Sequence, residues 1–228
     1  MAKITISMPV GPSRGDRKDL RRAVQGIIDQ TFQDWRLVVV NDGGDKLPTL
    51  QDDPRITIIN LSENKGRYYC DAFVLHTCGT EYWGPHDSDD YSPPARYSAL
   101  IRKADEGYSA VWSDRIVKGR LVVADPRPGE LSGSHAHHAG VYRVDALHHG
   151  PHPGFRCSWD SVFVSLALLY LRWAVVGGAE YAYYHHKRGG SLSADSMSPA
   201  RVAARKNYAK IWQFCKNSPV STWSEVLR

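Results

Sequence analysis

Cysteine is scarce in this chain, and the few cysteines are widely spaced. The four are Cys70, Cys78, Cys157 and Cys215, and no two of them are separated by only two residues. We also expect no secretory leader. These observations argue against a zinc ribbon and against a disulfide framework. We therefore expect a reducing, cytoplasmic location.

Long apolar runs are scarce as well. The most apolar stretch, residues 162–178, is interrupted by Arg172. It is also somewhat shorter than the roughly 20 residues that a helix needs to cross a bilayer. We therefore expect no transmembrane segment, and interpret this stretch as a buried helix followed by a buried strand.

The excess of positive charge is small. The 228 residues include 29 Lys and Arg against 24 Asp and Glu, which gives a net charge of +5 and a pI near 9.0. Such an excess favours anionic partners, including nucleotide phosphates, nucleic acid and acidic polymers, but solvated helix faces explain it more simply. With 42% hydrophobic residues, the chain can bury one sizeable core, so a single domain is expected.

The first part of the chain alternates between strand and helix patterns. Residues 3–9 have the alternation of a strand, and a helix capped by Asp19 follows. The continuous apolar run 37–40 is typical of a strand buried on both faces of a parallel sheet. A right-handed crossover is therefore predicted, and Asp42 lies at the carboxyl end of its second strand, where ligands bind in such sheets.

The next strand and helix bring further polar residues to that edge. Residues 55–60 indicate a third strand and residues 67–77 a helix, before a short apolar run at Tyr82 and Trp83. The predicted strand ends place Asp42, Arg67 and Asp87 on one rim of the sheet. Such a rim is the expected position of a nucleotide site.

An acidic stretch, residues 86–90, has three carboxylates within four residues: Asp87, Asp89 and Asp90. One interpretation is a solvated turn, since Asp and Ser favour turns. The alternative is a site for a hard divalent cation such as Mg²⁺ or Mn²⁺, which binds carboxylate oxygens and substrate phosphates. The strand that precedes the stretch and the two prolines that follow it favour the metal site.

The second half is predicted to continue as a mixture of helices and short strands. We predict helices at 94–107, 161–170 and 200–216, and strands at 110–114, 120–124, 138–143, 174–176 and 181–185. The middle section is rich in histidine, at positions 135, 137, 138, 148, 149 and 152. No cysteine or acidic residue has a matching spacing, so solvated loops and acceptor contacts are a simpler explanation than zinc.

The order of these signals resembles a family 2 glycosyltransferase of the GT-A fold, over most of residues 3–193. The similar segments, besides the first strand and helix, are Val38–Gly43, Asn64–Arg67, the Asp-any-Asp motif within Asp87–Asp90, Trp159–Asp160 and the closing loop His185–Ser193. Each segment alone is a weak signal, but their order along the chain is specific.

The resemblance implies an α/β fold: a single Rossmann-like GT-A domain with a mostly parallel central sheet flanked by helices. It assigns residues 1–195 to that domain, with 1–90 binding the nucleotide-sugar and 91–195 binding the acceptor. Residues 196–228 would then be a basic helical extension.

The resemblance also implies an inverting, metal-dependent transfer of sugar from a nucleotide-sugar, expected to be a UDP-sugar, to an acceptor hydroxyl. Asp160 would be the catalytic base, and the cofactor would be Mn²⁺ or Mg²⁺. The implied donor-binding residues are Pro9, Asp42, Lys65, Arg67, Asp87, Ser88 and Arg188. The implied metal ligands are Asp89, Asp87 and His186, and His185, His186 and Arg188 remain alternatives for the functional position of the closing loop.

Two other functions remain open from the sequence. A sugar nucleotidyltransferase shares the nucleotide-binding architecture, although residues 11–17 are only a loose version of its triphosphate loop. A non-catalytic nucleic-acid-binding module would use the two basic helices. The acceptor of a transferase is open too, and a glycan or a modified base in DNA are the alternatives.

Overall fold

The computed structural model describes residues 1–12, 17–125, 137–147, 163–164, 167–168 and 170–185, and the account below concerns those residues. Their strands are β1 (Ile4–Val10), β2 (Trp35–Asp42), β3 (Ile56–Leu61), β4 (Tyr82–Pro85), β5 (Ala110–Ser113), β6 (Arg115–Val117), β7 (Arg120–Val122), β8 (Gly140–Arg143), β9 (Trp173–Val176) and β10 (Tyr183–His185). Their α-helices are α1 (Arg17–Ile28), α2 (Arg67–Thr77) and α3 (Arg96–Asp105). Short 3₁₀ helices span His137–Ala139, Val144–Ala146 and Ala179–Tyr181.

Seven strands form one twisted sheet in the order β3-β2-β1-β4-β8-β5-β9. All neighbours in it are parallel except β8, which is antiparallel to β4 and to β5. A second, small sheet has the order β10-β6-β7. The prediction of an α/β fold with a mostly parallel central sheet is confirmed.

The core lies on both faces of the large sheet because β2 is apolar at every position from 37 to 40. Leu37 and Val39 pack in the cluster that includes α1 and α3, whereas Val38 and Val40 pack in the cluster that includes α2. Alternate residues of a strand point to opposite faces, so a strand covered on both faces needs apolar residues in succession. Each fully buried side chain of this size contributes about 1.5–3 kcal/mol of hydrophobic stabilisation.

Two predictions about the first half need comment. The predicted helix 67–77 is confirmed at both ends. Asp19, however, does not precede the first helix as a cap, because α1 already begins at Arg17. Asp19 lies in the first turn, 3.3 Å from Arg22, where its negative charge interacts favourably with the positive end of the helix dipole.

In the second half, β6 was not predicted. Its three residues pair with β7 on one side and with β10 on the other, and no periodicity can develop in so short a strand. Tyr181 was predicted to lie in a strand but belongs to a 3₁₀ turn, and β10 begins at Tyr183. His138, predicted as strand, also lies in a 3₁₀ turn, immediately before β8.

Some predictions fall on residues that the structure describes only in part or not at all. Of the helix predicted at 161–170, residues 163, 164, 167, 168 and 170 are described and are helical. The extension 196–228 lies outside the described residues, and the division into halves at residue 90 stays a prediction. Within the described residues, no helix has the length and apolar character needed to cross a membrane.

Candidate active site

The acidic stretch forms a loop, residues 86–92, that leaves the carboxyl end of β4 and leads to α3. His86 continues the sheet pairing, since its N–H donates to the carbonyl of Ser7 at 2.8 Å. Beyond it the loop turns, with the N–H of Asp90 donating to the carbonyl of Asp87 at 3.2 Å. Asp90 is 0% exposed and Asp89 is 9% exposed. The alternative of a solvated turn is therefore wrong.

Two carboxylates of this loop lie beside two histidines from later in the chain. Asp87, Asp90, His138 and His185 each offer one ligand atom, and these atoms all lie within 4.8 Å of one another. Nδ1 of His185 is 3.2 Å from Asp90, and Nδ1 of His138 is 3.4 Å from Asp87. We call this set the Asp-His group.

Aromatic packing fixes the position of the two imidazoles. The rings of His138 and His185 are stacked at 5.5 Å with an interplanar angle of 13°. The ring of Tyr183 lies 5.0 Å from His138, and its hydroxyl accepts the N–H of Asp87 at 3.0 Å. Tyr183 therefore contacts both the loop and a histidine of the Asp-His group.

Two buried histidines of the site, His86 and His138, are held neutral. Burial, followed by the charge of Arg67, keeps the pKa of His138 well below its usual value. Burial, followed by the charge of Arg96, lowers the pKa of His86 to about 3. A neutral imidazole retains the lone pair with which histidine ligates metals. Nε2 of His138 is buried and has no hydrogen-bond partner among the described residues.

A chain of hydrogen bonds connects the acidic loop to the first residue of α3. Nη1 of the fully buried Arg96 donates to the hydroxyl of Ser92 at 3.2 Å, and that oxygen lies 3.0 Å from Nε2 of His86. Nδ1 of His86 is 2.8 Å from the carbonyl of Asp87. With His86 neutral, the network assigns its proton to Nδ1, which donates to the carbonyl while Nε2 accepts from Ser92. The loop conformation is thus coupled to α3.

Asp42, the last residue of β2, shapes the loop that precedes α2. Its carboxylate accepts the N–H groups of Lys65 at 2.6 Å and of Gly66 at 2.9 Å. Gly43 follows with a φ of 69°, and a Cβ built there would lie 2.2 Å from the backbone nitrogen of Asn64. Only glycine allows the two loops to approach so closely. The structure therefore shows the Asp42 side chain binding the backbone of the loop that precedes α2.

Arg67, the first residue of α2, lies between two carboxylates. It forms an ion pair with Asp87 and another, at 3.3 Å, with Asp71 one turn along α2. Asp71 is fully buried and accepts a hydrogen bond from the hydroxyl of Ser7 at 2.6 Å. This arrangement confirms that Arg67 and Asp87 share one rim of the sheet, and the loop held by Asp42 leads directly into Arg67.

The other predicted site residues take varied positions. The side chain of Lys65 pairs with Glu63, Ser88 is buried in the acidic loop, and Pro9 lies near the carboxyl end of β1. Asp89 is next to the Asp-His group, but its carboxylate is not part of it. Asp160, His186 and Arg188 lie outside the described residues.

Several residues of the site were missed or misread in the sequence. Solvated loops or acceptor contacts were expected for the histidines, and a strand for His138, yet His137 and His138 are only 2% and 7% exposed. The two lie in the 3₁₀ turn before β8, which pairs with β4 and so brings them next to the acidic loop. Asp71 and Arg96 were not singled out at all. A charged residue on the apolar side of a predicted helix was the available signal for both.

The sequence and fold were compared with known proteins. The profile of the family described as Glycosyl transferase family 2 matches residues 11–158. The bifunctional glycosyltransferase pgtA of Dictyostelium discoideum is 34% identical over 90 residues, which cover 35% of this chain and 12% of that protein. The uncharacterized glycosyltransferase YkcC of Bacillus subtilis (strain 168) is 31% identical over 100 residues, which cover 39% of this chain and 29% of that protein. The matched segments thus span less than a third of either relative.

Solved structures share the fold at low sequence identity. S. aureus TarS 1-349, in a crystal structure with UDP-GlcNAc, has a TM-score of 0.68 at 18% identity. The matched region covers 91% of this chain and 66% of the TarS chain. The mannosyltransferase PcManGT of Pyrobaculum calidifontis, in complex with GDP-Man and Mn²⁺, has a TM-score of 0.56 at 14% identity. The matched region covers 94% of this chain and 64% of the PcManGT chain. The family profile covers more than half of the sequence, and the chain belongs to glycosyl transferase family 2.

Proposed function

We propose that the chain catalyses the inverting transfer of a sugar from a UDP-sugar to an acceptor hydroxyl, with a divalent cation bound at the Asp-His group. The observation that carries the proposal is the position of this group. It lies beyond the carboxyl end of β4, and Asp87 joins it to Arg67 at the start of α2. Ligands of α/β sheets bind at this edge. TarS and PcManGT, which share the fold, are described with bound nucleotide-sugars.

The residues of the group suit Mn²⁺ better than Mg²⁺. Two carboxylates and two imidazoles form a mixed oxygen and nitrogen donor set, whereas Mg²⁺ strongly prefers oxygen ligands and water. His138 also has a buried Nε2 without a hydrogen-bond partner among the described residues, which suits its proposed role as a metal ligand. Asp87, Asp90, His138 and His185 would hold the ion, and Asp89 and His186 remain proposed ligands from the sequence.

A bound cation would offset the negative charge that grows on the departing diphosphate. Arg67 adds a positive charge on the same side, and its two carboxylate partners hold the guanidinium in place. The proposed role of Arg67, or of Lys65, is to contact the uracil side of the donor, and Asp42 would contact the base or ribose. Since Asp42 already accepts two backbone N–H groups, we propose that it also acts by shaping the loop that lines this pocket.

Asp160 is the proposed general base, and it would accept the proton of the acceptor hydroxyl as that oxygen attacks the anomeric carbon. Attack from the side opposite the diphosphate inverts that carbon. A positioned base of this kind contributes about 10²- to 10⁴-fold to the rate. Ser88 and Pro9 would line the donor pocket, and Arg188 would add positive charge near the diphosphate.

Isothermal titration of UDP and GDP tests the donor and the metal together. We expect wild-type protein to bind UDP with Mn²⁺, more weakly with Mg²⁺, and much more weakly with EDTA. Asp90→Asn should weaken Mn²⁺-dependent binding by about tenfold or more, because a ligand is lost. The matched control is Asp52→Asn, an exposed carboxylate that lies outside the Asp-His group, and it should bind like the wild type.

Two results would contradict parts of this proposal. Failure to bind either nucleotide under every condition would exclude the donor site. Equal UDP affinity with Mn²⁺ and with EDTA would exclude the metal. If Asp89→Asn abolishes the Mn²⁺ effect while Asp90→Asn does not, the ligand set implied by the sequence is the correct one.

A further inference from the structure

One face of α1 contacts the acidic loop and the segment after it at successive points. Arg22 and Gly26 are four residues apart and so lie on one side of the helix, and Gln30 follows two residues after its last residue, Ile28. Together they contact residues 89–97, which carry the chain from the acidic loop into α3. No residue of this face belongs to the Asp-His group.

Gln30 makes most of these contacts, although it is only 1% exposed. Its amide protons are shared among the carbonyls of Gly26 at 2.7 Å, Pro93 at 2.8 Å and Ser92 at 3.2 Å. Its side-chain oxygen accepts the N–H of Tyr97 at 3.0 Å. One side chain therefore satisfies a carbonyl in the last turn of α1 and also fixes the backbone after the acidic loop.

Gly26 permits the close approach of the loop to the helix. A Cβ at this position would lie 2.8 Å from the ring of Tyr91 and 3.2 Å from the carbonyl of Ser92. Glycine inside a helix costs about 1 kcal/mol relative to alanine. The contact with Tyr91 and Ser92 provides the physical reason for a glycine here.

Arg22 completes the face at the other end of the loop. Its Nη2 donates to the carbonyl of Asp89 at 3.0 Å, and the same guanidinium is paired with Asp19. The bond to Asp89 lies just before Asp90 in the sequence, and the bonds of Gln30 lie just after it. The backbone that carries the Asp90 carboxylate is thus held on one side by α1 and on the other by Gln30, just after that helix.

We propose that Arg22, Gly26 and Gln30 are positioning residues that set the backbone of the acidic loop and thereby the affinity of the Asp-His group for its cation. This inference rests on the proposed function, because it assumes that Asp87 and Asp90 bind a metal. The three residues act through the main chain and do not contact the ion. Residues that orient metal ligands typically change metal affinity by about 10- to 100-fold when they are replaced.

Gly26→Ala gives the sharpest test, because it should stabilise α1 and at the same time disturb the acidic loop. Alanine favours the helix, so α1 should be retained, while its methyl group displaces Tyr91 and the loop. We expect faster hydrogen exchange in the peptide that covers 86–93, unchanged exchange in β1 and β2, and Mn²⁺ binding about tenfold weaker by electron paramagnetic resonance.

Two further variants have matched controls at exposed positions of α1. Gln30→Met removes the four hydrogen bonds of a buried side chain, and its control is the exposed Gln25→Met. Arg22→Ala removes the bond to Asp89 from a partly exposed position where unfolding is not expected, and its control is the exposed Arg21→Ala. We expect weaker Mn²⁺ binding in both test variants and wild-type affinity in both controls.

The outcomes separate this inference from the proposed function. If the wild type binds Mn²⁺ and the folded Gly26→Ala and Arg22→Ala proteins bind it within twofold of the wild type, α1 does not position the site. If the wild type binds no Mn²⁺, the proposed metal site is wrong and this inference fails with it. Faster exchange confined to residues 86–93, together with weaker Mn²⁺ binding, supports the inference.

Discussion

Asp71 illustrates how neighbouring side chains determine the charge of a buried residue. It is fully buried, and burial alone would raise the pKa of its carboxyl. The hydrogen bond from His137, the charge of Arg67 and the hydrogen bond from Ser7 together outweigh burial and lower that pKa. Asp71 therefore stays ionised, and it holds Arg67 in place beside Asp87.

The lowered pKa of Asp71 predicts how stability changes with pH. Because the folded state binds the proton of this carboxyl less tightly than the unfolded state, the stabilisation is fully present above the unfolded pKa, about 3.9. It is lost as pH falls through the lower, folded-state pKa. Asp71→Asn should reduce the free energy of unfolding at pH 7 by about 1–3 kcal/mol. The free energy of unfolding of the variant should also decrease less steeply as the pH falls.

Urea denaturation from pH 3 to pH 7 measures both effects. The control is Asp52→Asn, whose carboxyl is exposed and should leave the curve unchanged. An identical pH dependence in wild type and Asp71→Asn would show that folding does not lower the pKa of Asp71.

At the scale of elements, β2 determines the layering of the molecule. It pairs with β1 on one side and with β3 on the other, and its alternate residues pack into the two core clusters. Its apolar run was visible in the sequence and predicted a strand buried on both faces. β3 is different: Ile58 is 41% exposed, because β3 forms an edge of the sheet.

Substitutions in β2 and β3 should therefore differ in their effect on stability. Leu37 is fully buried, and Leu37→Ala should lower the free energy of unfolding by about 2–5 kcal/mol, since it removes apolar contacts and leaves a cavity. Ile58→Ala should cost about 1 kcal/mol or less, because the side chain already contacts solvent. Equal losses in chemical denaturation would contradict the assignment of β3 to the edge.

At the scale of the whole molecule, the small sheet brings residues of β10, far along the chain, to the site. Asp114, at the end of β5, accepts the N–H of Ala124 at 2.8 Å and the N–H of Gly178 at 3.0 Å. Tyr183 donates its N–H to the carbonyl of Asp114 at 2.8 Å, which places β10 beside the acidic loop. His185 and Asp90 meet through these contacts although 95 residues separate them in the chain.

Because the site joins distant segments, a bound ligand should stabilise the whole domain. In the presence of Mn²⁺, UDP at about 100 times its dissociation constant should add about 2.7 kcal/mol, which corresponds to a rise in Tm of about 5 °C or more. The rise should disappear with EDTA and in Asp90→Asn, as measured by differential scanning fluorimetry. A Tm that does not respond to Mn²⁺ and UDP would contradict the proposed site.

Local patterns were enough to predict the first crossover and the rim of the sheet on which the acidic loop lies. The crossover from β1 to β2, both ends of α2 and the rim that Arg67 shares with Asp87 all follow from periodicity and from the rule that ligands bind at strand ends. Such features depend on residues close in sequence. The resemblance drawn from their order was confirmed by the family profile.

The composition of the Asp-His group was not predictable in the same way. The sequence indicated carboxylates that suit a cation, but it did not indicate that His138 lies beside Asp87, nor that Asp90 is buried while Asp89 stays outside the group. These relations depend on the pairing of β8 with β4 and on the hydrogen bond between the acidic loop and Tyr183. The sequence alone therefore determined which strands form the layers and where the acidic loop emerges, because both depend on local periodicity. The tertiary structure alone decided which side chains meet there, because long-range pairing brings together residues that no local pattern relates.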